Sequence, residues 1–114
     1  MEKEIQEFFK GDIQSDIKTI EKYSHDASLF EVKPQIVLFP MDAEDIKNVI
    51  RFVNLNKKKH PKLSVTARSA GSCMSGGSLN DSIILDVTRY MNGTLSVDEK
   101  KREAVVLPGT YYRD

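Results

Sequence analysis

The sequence carries a single cysteine, Cys73, so no disulfide can form within the chain. Neither charge is in excess: Lys plus Arg and Asp plus Glu are 17 each, for a formal net charge of +0. A nucleic-acid binder ordinarily shows a basic surplus, so nucleic acid is not an expected partner. The one dense basic run, Lys57-Lys58-Lys59, reads as the solvated end of a helix. No apolar stretch approaches the roughly 20 residues that a membrane span needs. The start, Met1 to Glu4, is charged and lacks the apolar core of a secretion signal. These absences lead to the expectation of a soluble, cytoplasmic protein without a membrane span, with peripheral membrane contact through other segments left open. His25 and His60 have no cysteine or further histidine at ligand spacing, so no metal site is expected. The 114 residues make one modest domain or a piece of a larger one.

What is present is a succession of short periodic segments. Ile5, Phe8 and Phe9 share a helical face, and Gly11 interrupts it. Asp12 is placed to cap a second short helix carrying Ile13, Ile17 and Ile20. Residues 23–33 are irregular and polar. Gln35 to Phe39, between Pro34 and Pro40, has the apolar run of a strand buried on both faces. Asp42 then caps the clearest amphipathic helix, with Ile46, Val49, Ile50 and Val53 at i, i+3, i+4 and i+7. Asp45, three residues after the cap, is a weaker relative of a capping box. Leu63 to Ala67 reads as the next strand, and strand–helix–strand implies a parallel pair. Ser82 to Val87 gives a third strand, and Asn92-Gly93 marks a turn. Thr94 to Asp98 and Ala104 to Leu107 read as two strands joined by a charged turn. Tyr111 and Tyr112 alternate with the strand period, one expected inside and one outside. Residues 108–114 break off in what reads as a new element, and the last two strands have little to pack on. The chain is therefore expected to be a truncated piece.

Between the second and third strands lies Arg68-Ser69-Ala70-Gly71-Ser72-Cys73-Met74-Ser75-Gly76-Gly77-Ser78. Its residues are small, so a ligand can approach the main chain. Successive amides in such a loop can converge on an anion, and the hydroxyls of Ser69, Ser72, Ser75 and Ser78 add neutral donors. A diphosphate suits that donor set; a flexible surface loop is the plainer alternative. Three other motifs fail. Gly71 to Gly76 has P-loop glycine spacing, but Gly77 stands where lysine is required. The G-x-G-x-x-G fingerprint is broken by Cys73 and Met74. No serine has the flanking glycines of a G-x-S-x-G elbow. Arg68 either pairs with the diphosphate or braces the scaffold. Nothing in the segment supplies a general base for removing a substrate proton, and no catalytic residue is identified.

The loop resembles the FAD-binding loop of flavoproteins of the vanillyl-alcohol oxidase type, also called the PCMH-type FAD-binding domain. The glycolate oxidase and D-lactate dehydrogenase branch typically reads Arg-Gly-Ala-Gly-Thr-Gly-Leu-Ser-Gly-Gly-Ala here. Other stretches agree in order. Tyr23-Ser24-His25-Asp26-Ala27-Ser28 resembles the family's opening motif. Pro34 to Pro40 and Asp42 to Val53 resemble its first strand and helix. Ile84 to Arg89, with Met91-Asn92, resembles the strand and turn after the loop, and Pro108-Gly109 its second FAD contact.

The resemblance implies an α+β fold: a small βαβ subdomain, then the start of a mainly antiparallel second subdomain, with FAD between them. Residues 1–22 would be an N-terminal helical segment and 23–114 the N-terminal portion of the FAD-binding domain, the substrate-binding cap domain being absent. Ser69, Ala70, Gly71, Ser72, Cys73, Gly76, Gly77 and Ser78 would hold the FAD diphosphate, with Pro108 and Gly109 near the flavin. Some relatives bind flavin covalently through a histidine where this chain has Ser72, which implies non-covalent FAD here. Cys73, in place of a usual glycine, reads as a small packing residue. Ser69 also replaces a common glycine. The implied activity is oxidation of a small 2-hydroxy acid such as D-lactate or glycolate. The electron acceptor is not specified by any residue. A non-catalytic FAD or nucleotide module, or an inactive fragment, is the alternative.

Overall fold

A computed structural model describes residues 1–113. In chain order the elements are α1 (Glu2–Gln6), β1 (Asp12–Gln14), α2 (Ile17–Tyr23), β2 (Ile36–Phe39), α3 (Ala43–Asn56), β3 (Val65–Arg68), β4 (Ile83–Asp86), β5 (Thr94–Asp98) and β6 (Glu103–Val106). A four-stranded sheet has the order β1-β2-β4-β3, and β5 pairs with β6 in a separate ribbon. β2, β4 and β3 run parallel, while β1 adds an antiparallel edge. The strand–helix–strand unit is thus present, with β4 inserted between its two strands.

Every residue of β2 and β4 is buried, as expected of strands covered on both faces. Strand alternation then divides their side chains. Ile36, Leu38, Ile83 and Leu85 pack with Ile5, Phe9, Val49, Val53 and Leu63 on the face covered by α1 and α3. Val37, Phe39 and Ile84 meet Tyr23 on the other face. Full burial of one such side chain contributes about 1.5–3 kcal/mol, so these paired central strands are the anchor of the fold. Asp42 caps α3 by accepting from the Asp45 amide at 3.1 Å. Of the helix's apolar face, Val49 and Val53 are buried, whereas Ile50 is exposed.

The N-terminal segment departs from expectation. The helix predicted from Asp12 begins at Ile17 and is capped by Asp16, whose carboxylate accepts from the Thr19 amide. Asp12 to Gln14 is instead β1, bound to β2. The isoleucine spacing was misleading because Ile13 belongs to a strand and Ile17 points to solvent. A Cβ on Gly11 would lie 1.9 Å from the Phe39 carbonyl oxygen, so only glycine lets the chain cross β2 there. Tyr111 and Tyr112 are both exposed rather than divided between core and surface. The β5–β6 ribbon is exposed along both strands, and Arg102 adopts φ 55° in its turn. Asp98 steadies that turn by accepting from the amides of Lys100 and Lys101. The expectation that these two strands have little to pack on holds among the described residues.

Candidate functional site

The parallel strands β2, β4 and β3 end together at Phe39, Asp86 and Arg68. Ligands in open α/β sheets bind beyond such carboxyl ends, where the connecting loops diverge. The glycine- and serine-rich segment starts there, immediately after β3. The opposite edge, before β2, β3 and β4, borders a cleft of about 630 Å³ lined by Gln35, Leu63, Ser82, Lys59 and His60. That cleft is lined mostly by larger side chains, whereas the loop combines small residues with exposed main chain, which makes the loop the candidate diphosphate site.

Among the described residues, no main-chain amide from Ser69 to Cys73 donates to another main-chain group. Gly71 and Gly76 hold φ of +68° and +79°, the left-handed region that side chains with a Cβ rarely enter. These two bends fold the loop back on itself. Ser69, Ala70 and Ser72 are exposed, so their polar groups face outward from the bend. Ser75 and Ser78 are otherwise employed. The Ser75 hydroxyl lies 3.3 Å from the Cys73 sulfur, and the buried Ser78 hydroxyl donates to Asp26 at 3.2 Å. The Cys73 thiol is shifted down from its ordinary pKa, first by the Ser75 hydroxyl and then by the amides of Ser75 and Gly77. The same donors that favour a thiolate favour an oxyanion. Of the predicted donors, then, Ser69 to Cys73 have uncommitted amides, while the Ser78 hydroxyl is spent on Asp26.

Residues 23–30 form the other wall. Asp26 accepts from the Ser28 amide and the Ser78 hydroxyl, and its carboxyl is held below the usual range first by the Ser28 hydroxyl, then by these two bonds and the nearby Arg68. The Phe30 ring rests on Gly76, 3.0 Å from where a Cβ would sit. Tyr23 donates to Asp86 at 2.5 Å, and burial with that bond pushes its phenol pKa upward. The Arg68 guanidinium stacks 4.9 Å from the Tyr23 ring centre. Sequence reasoning quoted Tyr23 and Asp26 within a motif but gave them no role, and it passed over Phe30. The packing of small loop residues against bulky wall residues is a long-range contact that leaves no local pattern in a single sequence.

Pro108 and Gly109 lie at the same end of the sheet. The Val87 amide donates to the Arg68 carbonyl at 3.0 Å, and a Cβ on Gly109 would lie 2.1 Å from the Val87 carbonyl oxygen. The Gly109 amide is committed to the Met91 carbonyl at 2.8 Å, and Pro108 is exposed. Close packing against Val87 thus accounts for the glycine without a ligand.

Comparison with known proteins fits this geometry. D-2-hydroxyglutarate dehydrogenase of Pseudomonas putida is 31% identical over 102 residues, covering 90% of this chain and 10% of that protein. The enzyme of the same name from Haemophilus influenzae is 32% identical over 101 residues, 89% of this chain and 10% of its own length. The chain therefore spans about a tenth of the length of these curated relatives. Among solved structures, 4-ethylphenol oxidase from Gulosibacter chungangensis superposes with a TM-score of 0.72 at 24% identity, covering 94% of this chain and 21% of that one. An alkyldihydroxyacetonephosphate synthase superposes at 0.69 with 22% identity, covering 95% and 22%. These two share the fold. The family model described as FAD binding domain matches residues 34–114, which include the whole loop and both strands flanking it. The chain belongs to this FAD-binding domain family, and its cofactor is FAD.

Proposed function

We propose that this chain is the FAD-binding portion of a flavin-dependent oxidoreductase that oxidises a 2-hydroxy acid. The observation that carries the proposal is the run of uncommitted amides from Ser69 to Cys73 at the carboxyl ends of parallel strands. The substrate class is supported by the relatives, whose names specify D-2-hydroxyglutarate, itself a 2-hydroxy acid.

The residues present fit FAD. The amides of Ser69 to Cys73 are uncommitted around the positive-φ bend at Gly71, and the Arg68 guanidinium, whose Nη1 is buried without a partner among the described residues, packs against that bend. Bound FAD would supply the acceptor for the hydride equivalent leaving the substrate α-carbon. The chain's own residues bind and orient. Amides of Ser69 to Cys73 and the hydroxyls of Ser69 and Ser72 would donate to the diphosphate. Gly76, Gly77 and Ser78 would shape the loop, with Gly76 held against Phe30 and Ser78 tied to Asp26. Pro108 and Gly109 would border the flavin side. Substrate binding and proton transfer fall to other parts of the protein, such as a cap domain.

Cys73 gives a direct test, because it is the sole thiol of the chain and sits in the loop. We expect iodoacetamide to alkylate Cys73 faster than an ordinary exposed thiol near neutral pH, since more of it is thiolate. Saturating FAD should slow that reaction at least about tenfold by covering the loop. Equal alkylation rates with and without FAD would remove the loop from the cofactor site. Attachment is tested separately. Ser72 has no imidazole to bond flavin, so acid precipitation of the holoprotein should leave all flavin in the supernatant. Yellow colour persisting in the pellet would contradict this.

A further inference from the structure

We propose that Arg68 is a pre-placed counter-charge for the FAD diphosphate and that Tyr23 is the positioning residue that holds it. The proposal rests on the reading of the loop as the diphosphate site. Arg68 is the last residue of β3, and its side chain turns back beneath the loop it precedes. A Cβ on Gly71 would lie 2.5 Å from Nη2 and 2.8 Å from both Cζ and Nε. The guanidinium therefore lines the inner side of the bend whose amides are uncommitted. Its plane is fixed by the Tyr23 ring at 4.9 Å. That ring is itself fixed by its hydrogen bond to Asp86 and by an edge contact with Phe39 at 6.0 Å between centres.

A bracing arginine spends its donors on carbonyls or carboxylates. Arg68 does not: Nη1 is buried and has no hydrogen-bond partner among the described residues. The nearby carboxylates are engaged elsewhere. Asp26 accepts from Ser28 and Ser78, and Asp86 accepts from Tyr23 and from the amide and hydroxyl of Thr88. A desolvated guanidinium with an unspent donor is costly unless an anion completes it. Nη2, the guanidinium nitrogen nearest the Gly71 bend, makes no hydrogen bond among the described residues either, and a diphosphate seated on the loop amides would accept from it, since arginine's planar set of donors suits phosphate oxygens.

Thermal unfolding and FAD titration of the chain test this, with sodium pyrophosphate as a probe lacking flavin and adenosine. Wild type should be stabilised by both FAD and pyrophosphate. Arg68→Met keeps an apolar stem against Tyr23 and removes the unsatisfied charge. Its unfolding temperature without ligand should equal or exceed that of wild type. Its FAD affinity should fall by about tenfold to hundredfold, the loss expected for a charged hydrogen bond. Pyrophosphate should no longer stabilise it. Tyr23→Leu should weaken FAD by about three- to tenfold through loss of the stack, and Tyr23→Phe, which keeps the ring and its edge contact but loses the bond to Asp86, should recover most of that loss. Unchanged FAD affinity in folded Arg68→Met would overturn the proposal while leaving the loop assignment standing. Failure of both Arg68→Met and Arg68→Gln to fold would identify a brace and overturn it equally. A wild type that responds to neither FAD nor pyrophosphate would defeat the loop assignment, and this inference with it.

Discussion

Gly71→Val is expected to abolish FAD retention, with affinity falling by more than about a hundredfold. Two effects add. Gly71 sits at φ +68°, where a residue with a Cβ pays about 1–2 kcal/mol and a β-branched one more. Its Cβ would also enter the space of the Arg68 guanidinium at 2.5 Å. Arg68 can give way only by leaving the Tyr23 ring, which spoils the loop's inner face. Gly71→Ala should show the same defect in weaker form, because it meets the same contact without branching. The core lies away from this bend, so far-UV circular dichroism should be unchanged and the loss confined to cofactor binding. Normal flavin absorbance after purification of Gly71→Val would be incompatible with the loop as the diphosphate cradle.

The parts of the fold that were legible in the sequence are those where a single local force decides. β2 was readable because Ile36 to Phe39 is uninterrupted apolar chain between two prolines, and α3 because its apolar period and Asp42 cap coincide. Asp12 to Gln14 was not readable. Its pairing with β2 is a long-range contact permitted by the missing side chain at Gly11, and a helical isoleucine spacing masked it. The insertion of β4 between β2 and β3 was likewise hidden, since strand order depends on how loops return and not on local pattern.

The site divides in the same way. The loop stood out as a candidate because a run of small residues follows a strand, although a plain surface loop has the same composition. Its wall was not, because Tyr23, Asp26 and Phe30 act through contacts with Arg68, Ser78 and Gly76 some 45 to 52 residues away. Arg68 was ambiguous in the sequence because whether its donors are spent depends on contacts that a single chain does not display. Gly109 has a second reason that the sequence does not show, since it packs closely against Val87.

Asp45→Ala is expected to cost about 3–5 kcal/mol, a large fraction of the ~5–15 kcal/mol that keeps a domain folded. Asp45 is fully buried in the first turn of α3. One carboxylate oxygen accepts from the Lys10 amide at 3.0 Å, and the other from the Met41 amide at 2.9 Å. This is not the capping box expected from its spacing, since it reaches one residue before the cap and also across to the N-terminal segment. Truncation leaves two buried amides without acceptors, and the favourable placement of an acid at a helix N-terminus is lost as well. Asp45→Asn should recover less than half of the loss, because its amide nitrogen would face one of the two N–H donors. The two bonds together tie the chain before β1, through the first turn of α3, to Met41 just beyond β2, whose last residue Phe39 supports the Tyr23 ring. The destabilised chain should therefore hold FAD less well even at temperatures where it remains folded. Urea unfolding followed by circular dichroism measures the effect, with a lower midpoint and an unchanged slope expected. A loss below about 1 kcal/mol would mean that water reaches both amides and that this carboxylate does not join the N-terminal segment to the sheet.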